Sequence, residues 1–170
     1  MKSRTIAYVS ISSAVAVVFA MLSAFLPSKI VPLSVCALCY LIAKEKTNWG
    51  GALVCIAVSN LLIFAFTGIS PTLIINLILF TPYSLLSMLC SKISYKNKKT
   101  VALRCIMIFA FFSLAFMLLI SMGTVIIQMP YENVLWAVGV LLPSVIMGLF
   151  CIPADYFIIS ITLYVCSKIK

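Results

Sequence analysis

The chain has no histidine and only three acids, Glu45, Glu132 and Asp155. Without histidine there is no Ser-His-Asp arrangement, and the three acids form no cluster in the sequence that would suggest a carboxylate-held metal. The six glycines never gather into a phosphate-cradling loop. The longest hydrophilic stretch runs only from Lys92 to Thr100, which is too short to house a soluble catalytic domain. The expectation is a non-enzyme without metal or cofactor. Charge is scarce altogether. Charged residues make up 9% of the 170, against about a quarter in ordinary soluble sequence.

What replaces charge is apolar sequence. Hydrophobic residues make up 65% of the chain, and its mean hydropathy is +1.27. The apolar residues fall in long unbroken runs, not in the short alternating segments of a membrane β-barrel. Helices satisfy their own backbone groups in lipid, so the fold class expected is all-α, an integral membrane bundle. The runs predict six spans in one transmembrane domain over 1–170, at about 5–26, 30–43, 49–67, 70–91, 101–122 and 144–167. The start "MKSRTIAYVS" looks like a secretory leader. The apolar run continues past "AVA" to Leu26, however, which reads as a retained span.

The 12 Lys and Arg residues give a formal charge of +9. They sit in short clusters between apolar runs, so they report orientation and not nucleic-acid binding. With six spans and the N-terminus inside, eleven cations, Arg104 among them, fall on the cytoplasmic side and Lys29 alone falls outside. Both termini are then expected to be cytoplasmic, in a cell membrane. Between Gly123 and Pro143 the sequence is apolar but interrupted. Two arrangements fit: two long, tilted helices, or a short helix at the outer surface, which is favoured because Pro143 disfavours a continuous helix.

The seven cysteines all lie in apolar runs. Cys36 and Cys39 form a C-x-x-C, but no histidine or second cysteine pair completes a metal site, and they read as packing residues.

Polar residues inside the runs are the candidates for function. Asp155 is the only aspartate and lies in "CIPADYFIIS". Counted back from Lys168 at ~1.5 Å per residue, it lies about 20 Å into a ~30 Å core, in the outer half. An acid at that depth faces a cavity or a partner. Asn76 is expected in the same half, whereas Asn60, deep in the third run, reads as a packing contact. Lys29, Gln128, Tyr131 and Trp136, with Glu132, are expected around the outer mouth. Aromatic walls with a few polar groups suit a small-molecule pocket, although Tyr and Trp also mark membrane interfaces. In the first run small residues recur at Ser10 and Ala14, and at Ser12, Ala16 and Ala20, a spacing that lets helices approach closely.

Three stretches carry a family resemblance. "RTIAYVSISSAVAVVFAML" resembles the first helix of the substrate-binding S components of energy-coupling-factor (ECF) transporters. Ser10 and Ala14 stand where that family has an A-x-x-x-A motif. "FLPSKIVPLSVCALCYLIA" is similar to the family's short entry into the second helix. "IPADYFIISITLYVCSKIK" is similar to the Pro-x-Asp start of the last helix in vitamin-specific members. The biotin type carries Lys three residues after that Asp, and here the position is Ile158.

The resemblance implies the substrate-binding subunit of an ATP-driven importer for a vitamin or other micronutrient, in a bacterial cell membrane. Under that reading the candidates placed in the outer half and mouth, Asp155, Asn76, Trp136, Gln128, Tyr131 and Lys29, are expected to bind substrate. Ser10, Ser13 and Ala14 would dock on a transmembrane coupling subunit that works with two ATPase subunits. The alternatives are a non-transport membrane scaffold of the rod-shape type and a small stand-alone permease.

Overall fold

A computed structural model describes residues 3–26, 29–90, 98–127 and 133–168. Every regular element among them is helical: α1 (Ser3–Phe25), α2 (Ile30–Lys46), α3 (Trp49–Thr67), α4 (Pro71–Ile75), α5 (Thr81–Leu89), α6 (Lys98–Ile127) and α7 (Asn133–Lys168). A π-helical turn, Asn76–Phe80, joins α4 to α5, so Pro71–Leu89 runs as one interrupted helix. Five helical stretches are long and apolar enough to cross a membrane: Ser3–Phe25, Trp49–Thr67, Pro71–Leu89, Val101–Ser121 and Val140–Lys168. The remaining helix, α2, has 17 residues, and its last turn carries Lys44 and Lys46.

Local chemistry sets several boundaries. Asn48 caps α3 by accepting from the Gly51 amide at 2.9 Å. Gly68 ends α3 at φ +62°, a conformation that costs glycine little. Ser70 then accepts from the Leu73 amide, and Pro71 takes the first position of α4, where its missing N–H costs nothing. The π turn has an equally plain cause. Pro82 cannot donate to the Ile78 carbonyl and its ring crowds it, and the wide turn closes instead through the Thr81 amide on the Asn76 carbonyl.

The helices form two compact units, Met1–Leu89 with Ile158–Lys170, and Cys90–Phe157. In the first unit α2 is the centre. It packs on α1, α3 and the α4–α5 helix. It buries Leu33, Cys36, Ala37, Tyr40 and Ala43 completely. Small residues allow this. Ala16 and Ala20 of α1 are fully buried, and the Cys36 thiol donates across to the Ala16 carbonyl at 3.2 Å. On the outside of the same unit Phe25, Leu61, Phe66 and Ile69 are exposed, as lipid-facing positions would be.

In the second unit α6 lies against the first part of α7. Gly148 is the close-approach point: a Cβ there would fall 3.1 Å from the Phe109 carbonyl oxygen and 3.3 Å from the Ser113 amide nitrogen. Helix α7 is continuous through Pro143 and Pro153. This corrects the expectation of a short surface helix ending near Pro143. A membrane helix tolerates proline because neighbouring helices and hydroxyl side chains re-satisfy its backbone. Ser144, the next residue, donates to the Val140 carbonyl at 2.6 Å.

Candidate functional site

Asp155 is 2% exposed, and its partner is Arg104, itself 3% exposed. Arg104 Nε donates to Asp155 Oδ2 at 2.8 Å, and Nη2 donates to Oδ1 at 3.1 Å. Arg104 Nη1 also donates to the Cys90 carbonyl at 3.4 Å. The two-point grip matches the planar fork of a guanidinium to a carboxylate, the strongest form of such a pair. Each charge alone would cost several kcal/mol at this burial. Together they form a neutral, hydrogen-bonded unit between α6 and α7.

The pair also places Asp155 along α6. Arg104 lies six residues beyond Lys98, about 9 Å along α6. Asp155 is therefore level with the basic end of that helix, within one arginine side chain. The depth counted from Lys168 placed it in the outer half. That count takes Lys168 as the membrane surface; α7 has 36 residues and is about 54 Å long, longer than a ~30 Å core.

Asn76 lies in the first unit and is fully buried. The π turn begins at Asn76, and the residue belongs to a polar cluster contributed by three elements. Its Nδ2 contacts Asn60 Oδ1 at 2.9 Å and the Tyr40 hydroxyl at 3.3 Å. Asn60 Nδ2 in turn donates to the Ile56 carbonyl at 2.9 Å and to Thr81 Oγ1 at 3.3 Å. Asn76 Oδ1 is buried without a hydrogen-bond partner. Asn60, read from sequence as a packing residue, is thus Asn76's direct neighbour. The cluster offers hydrogen-bond donors and acceptors without a formal charge.

Of the remaining expected residues only some are described. Lys29 is half-buried just before α2, where its carbonyl accepts from the Leu33 amide. Gln128, Tyr131 and Glu132 lie outside the described residues, and Trp136 is described only as part of the α7 backbone. On α1, Ser10 and Ala14 are exposed, as a docking face requires. Ser13 is not on that face. It is 3% exposed and its hydroxyl donates to Cys55 Sγ at 3.4 Å, because one further step around the helix turns it inward.

Arg104 is the residue that sequence reasoning passed over. It was counted as an orientation charge with the basic loop before it. The signal was present nonetheless: Arg104 is a lone cation three residues inside the fifth apolar run, and Asp155 is a lone acid inside the last. Two isolated opposite charges in oily helices are each other's natural partners.

Among the described residues, no group of three or more His, Cys, Asp or Glu side chains is placed to hold a metal. What the two sites can do is hold helices together and offer neutral hydrogen bonds in the interior. No family model matches the chain, and neither a curated protein nor a solved structure matches it.

Proposed function

We propose that this chain is the substrate-binding membrane subunit of an ECF-type importer, a six-span bundle with both termini in the cytoplasm. It captures a vitamin or other micronutrient and presents it to a transmembrane coupling subunit driven by two ATPase subunits. One observation carries the reading: α1 has two small-residue faces. Ser12, Ser13, Ala16 and Ala20 are buried against the chain's own helices, whereas Ser10 and Ala14 remain exposed on the other side. Small residues at this spacing on a lipid-facing surface suit close approach by another membrane helix. The uncharged Asn76–Asn60–Tyr40 cluster supplies the polar groups that a neutral or zwitterionic cargo would need. The test is purification of the tagged chain in mild detergent. The reading expects co-purifying coupling and ATPase subunits and a retained small molecule identifiable by mass spectrometry. Recovery of the chain alone and empty, from cells grown without the added nutrient, would overturn it.

The Arg104–Asp155 pair favours a second reading, a membrane scaffold. It ties up the chain's only aspartate in a contact between helices, which a purely structural bundle needs and a cargo site does not. Under that reading the co-purifying partners are not ATPases, and no small molecule is retained.

A further inference from the structure

The first unit has a cavity of about 880 Å³ where the start of α1 meets the ends of α2 and α7. Arg4, Tyr8, Ile11, Lys46, Cys166 and Ser167 are among its walls. Lys46 is held in place there: its Nζ donates to the Cys166 carbonyl at 2.8 Å, which ties the end of α2 to the last turns of α7. Arg4, exposed on the first turn of α1, lines the same cavity. The positive end of the α1 dipole opens in the same place.

Among the described residues, acidic side chains are scarce at this end. The chain has three, of which Asp155 is taken by Arg104 in the other unit and Glu132 is outside the described residues. Among the described residues Glu45 is the acid close by, and it is ion-paired with Lys44 at 2.7 Å. Among the described residues, the cavity is thus lined by two cations and several hydroxyls, with no acidic side chain in its wall. From it an exposed apolar stripe leads along α1: Ile11, Val15, Val18 and Leu22, spaced as one helix face. A cationic, hydroxyl-lined hollow at a helix-bundle end, continuous with a greasy stripe, matches a molecule with an anionic head and hydrocarbon tails.

We propose that this cavity binds a phosphate-bearing anion, the headgroup of an anionic phospholipid, with Arg4 and Lys46 on the phosphate and the acyl chains along the Ile11–Leu22 face. The site is independent of cargo binding, so its loss would leave the importer reading untouched.

The test uses the full chain in nanodiscs of phosphatidylcholine with a minority of phosphatidylglycerol, followed by native mass spectrometry of the lipid retained. Phosphatidylglycerol is expected to be retained preferentially. The Arg4→Gln/Lys46→Gln double variant is expected to weaken that preference roughly thirty-fold, from two cations at the usual strength of a basic residue near an anionic surface. The control Lys98→Gln/Lys99→Gln removes the same charge at α6 and is expected to retain the preference. Equal retention of both lipids, or equal loss in both double variants, would overturn the site. Should the double variant fail to run as a monodisperse helical protein, Arg4→Gln alone serves, since Arg4 is exposed, with the same two readings. Inorganic phosphate added to the wild type separates the sources. Persistence of bound phosphatidylglycerol supports the lipid headgroup, and its displacement by phosphate overturns the lipid in favour of a free anion.

Discussion

The carboxylate of Asp155 and the guanidinium of Arg104 meet at two points, 2.8 and 3.1 Å apart, with both side chains almost wholly buried. Removing one partner leaves the other charge buried and unpaired. Asp155→Asn and Arg104→Gln are each expected to destabilise the protein by about 3–5 kcal/mol, whereas Arg104→Met with Asp155→Leu is expected to recover much of that loss. Thermal unfolding of the detergent-solubilised variants reads both effects. If the single variants melt with the wild type, the pair does not hold α6 to α7.

The same variants bear on cargo. If Asp155 serves only Arg104, the stabilised Met/Leu double variant retains ligand affinity. If it touches cargo, that variant is folded but no longer binds. Isothermal titration with the molecule identified by mass spectrometry separates the two.

Asn60 and Asn76 share a 2.9 Å hydrogen bond in the middle of the first unit. Hydrogen bonds between membrane helices are worth about 0.6 kcal/mol on average and rarely exceed about 1.7. A double-mutant cycle with Asn60→Ala and Asn76→Ala is expected to give a coupling within that range. A coupling of zero would show that the two amides act separately. Tyr40→Phe removes a second contact to Asn76 and is expected to be mild, because Tyr40 packs with its ring fully buried whether or not the hydroxyl is there.

Gly148 sits where α7 comes closest to α6. The atoms a side chain would meet include backbone atoms of Phe109 and Ser113, which cannot swing away. Gly148→Leu is therefore expected to force the two helices apart and lower the melting temperature, with Gly148→Ala a weaker version of the same effect. Cysteine pairs placed across α6 and α7 near this point would cross-link in the wild type and lose efficiency in the leucine variant.

The all-helical class, the long apolar helices and the helix start at Trp49 were legible because apolar run length is a local signal. The continuous α7 was not. Proline rules drawn from isolated helices mark a break at Pro143, whereas the relief offered by neighbouring helices is a tertiary matter. The candidate site was legible in part. Asp155 and Asn76 stood out as polar residues in oil, but sequence gave each a depth without a partner. Arg104 was masked by the basic cluster preceding it, and Asn60 by the ordinariness of a lone amide in a span. Ser13 shows the finer limit. Hydropathy cannot tell which small residues of a helix face its own fold and which face out, since both faces of α1 are small.

That ambiguity makes α1 the most informative place to test the proposed docking. Ala14 is exposed, and Ala16 is fully buried against α2 and its neighbours. Leucine at 16 inserts bulk into a packed interior and is expected to cost about 1–3 kcal/mol in the isolated chain. Leucine at 14 meets only lipid in the isolated chain and is expected to leave its melting temperature unchanged. The two differ again in a partner's presence. If a membrane subunit docks on the Ser10–Ala14 face, Ala14→Leu abolishes its co-purification while ligand retention persists. Ala14→Leu that still brings down the coupling and ATPase subunits would move the docking face off α1, whatever the bundle turns out to carry.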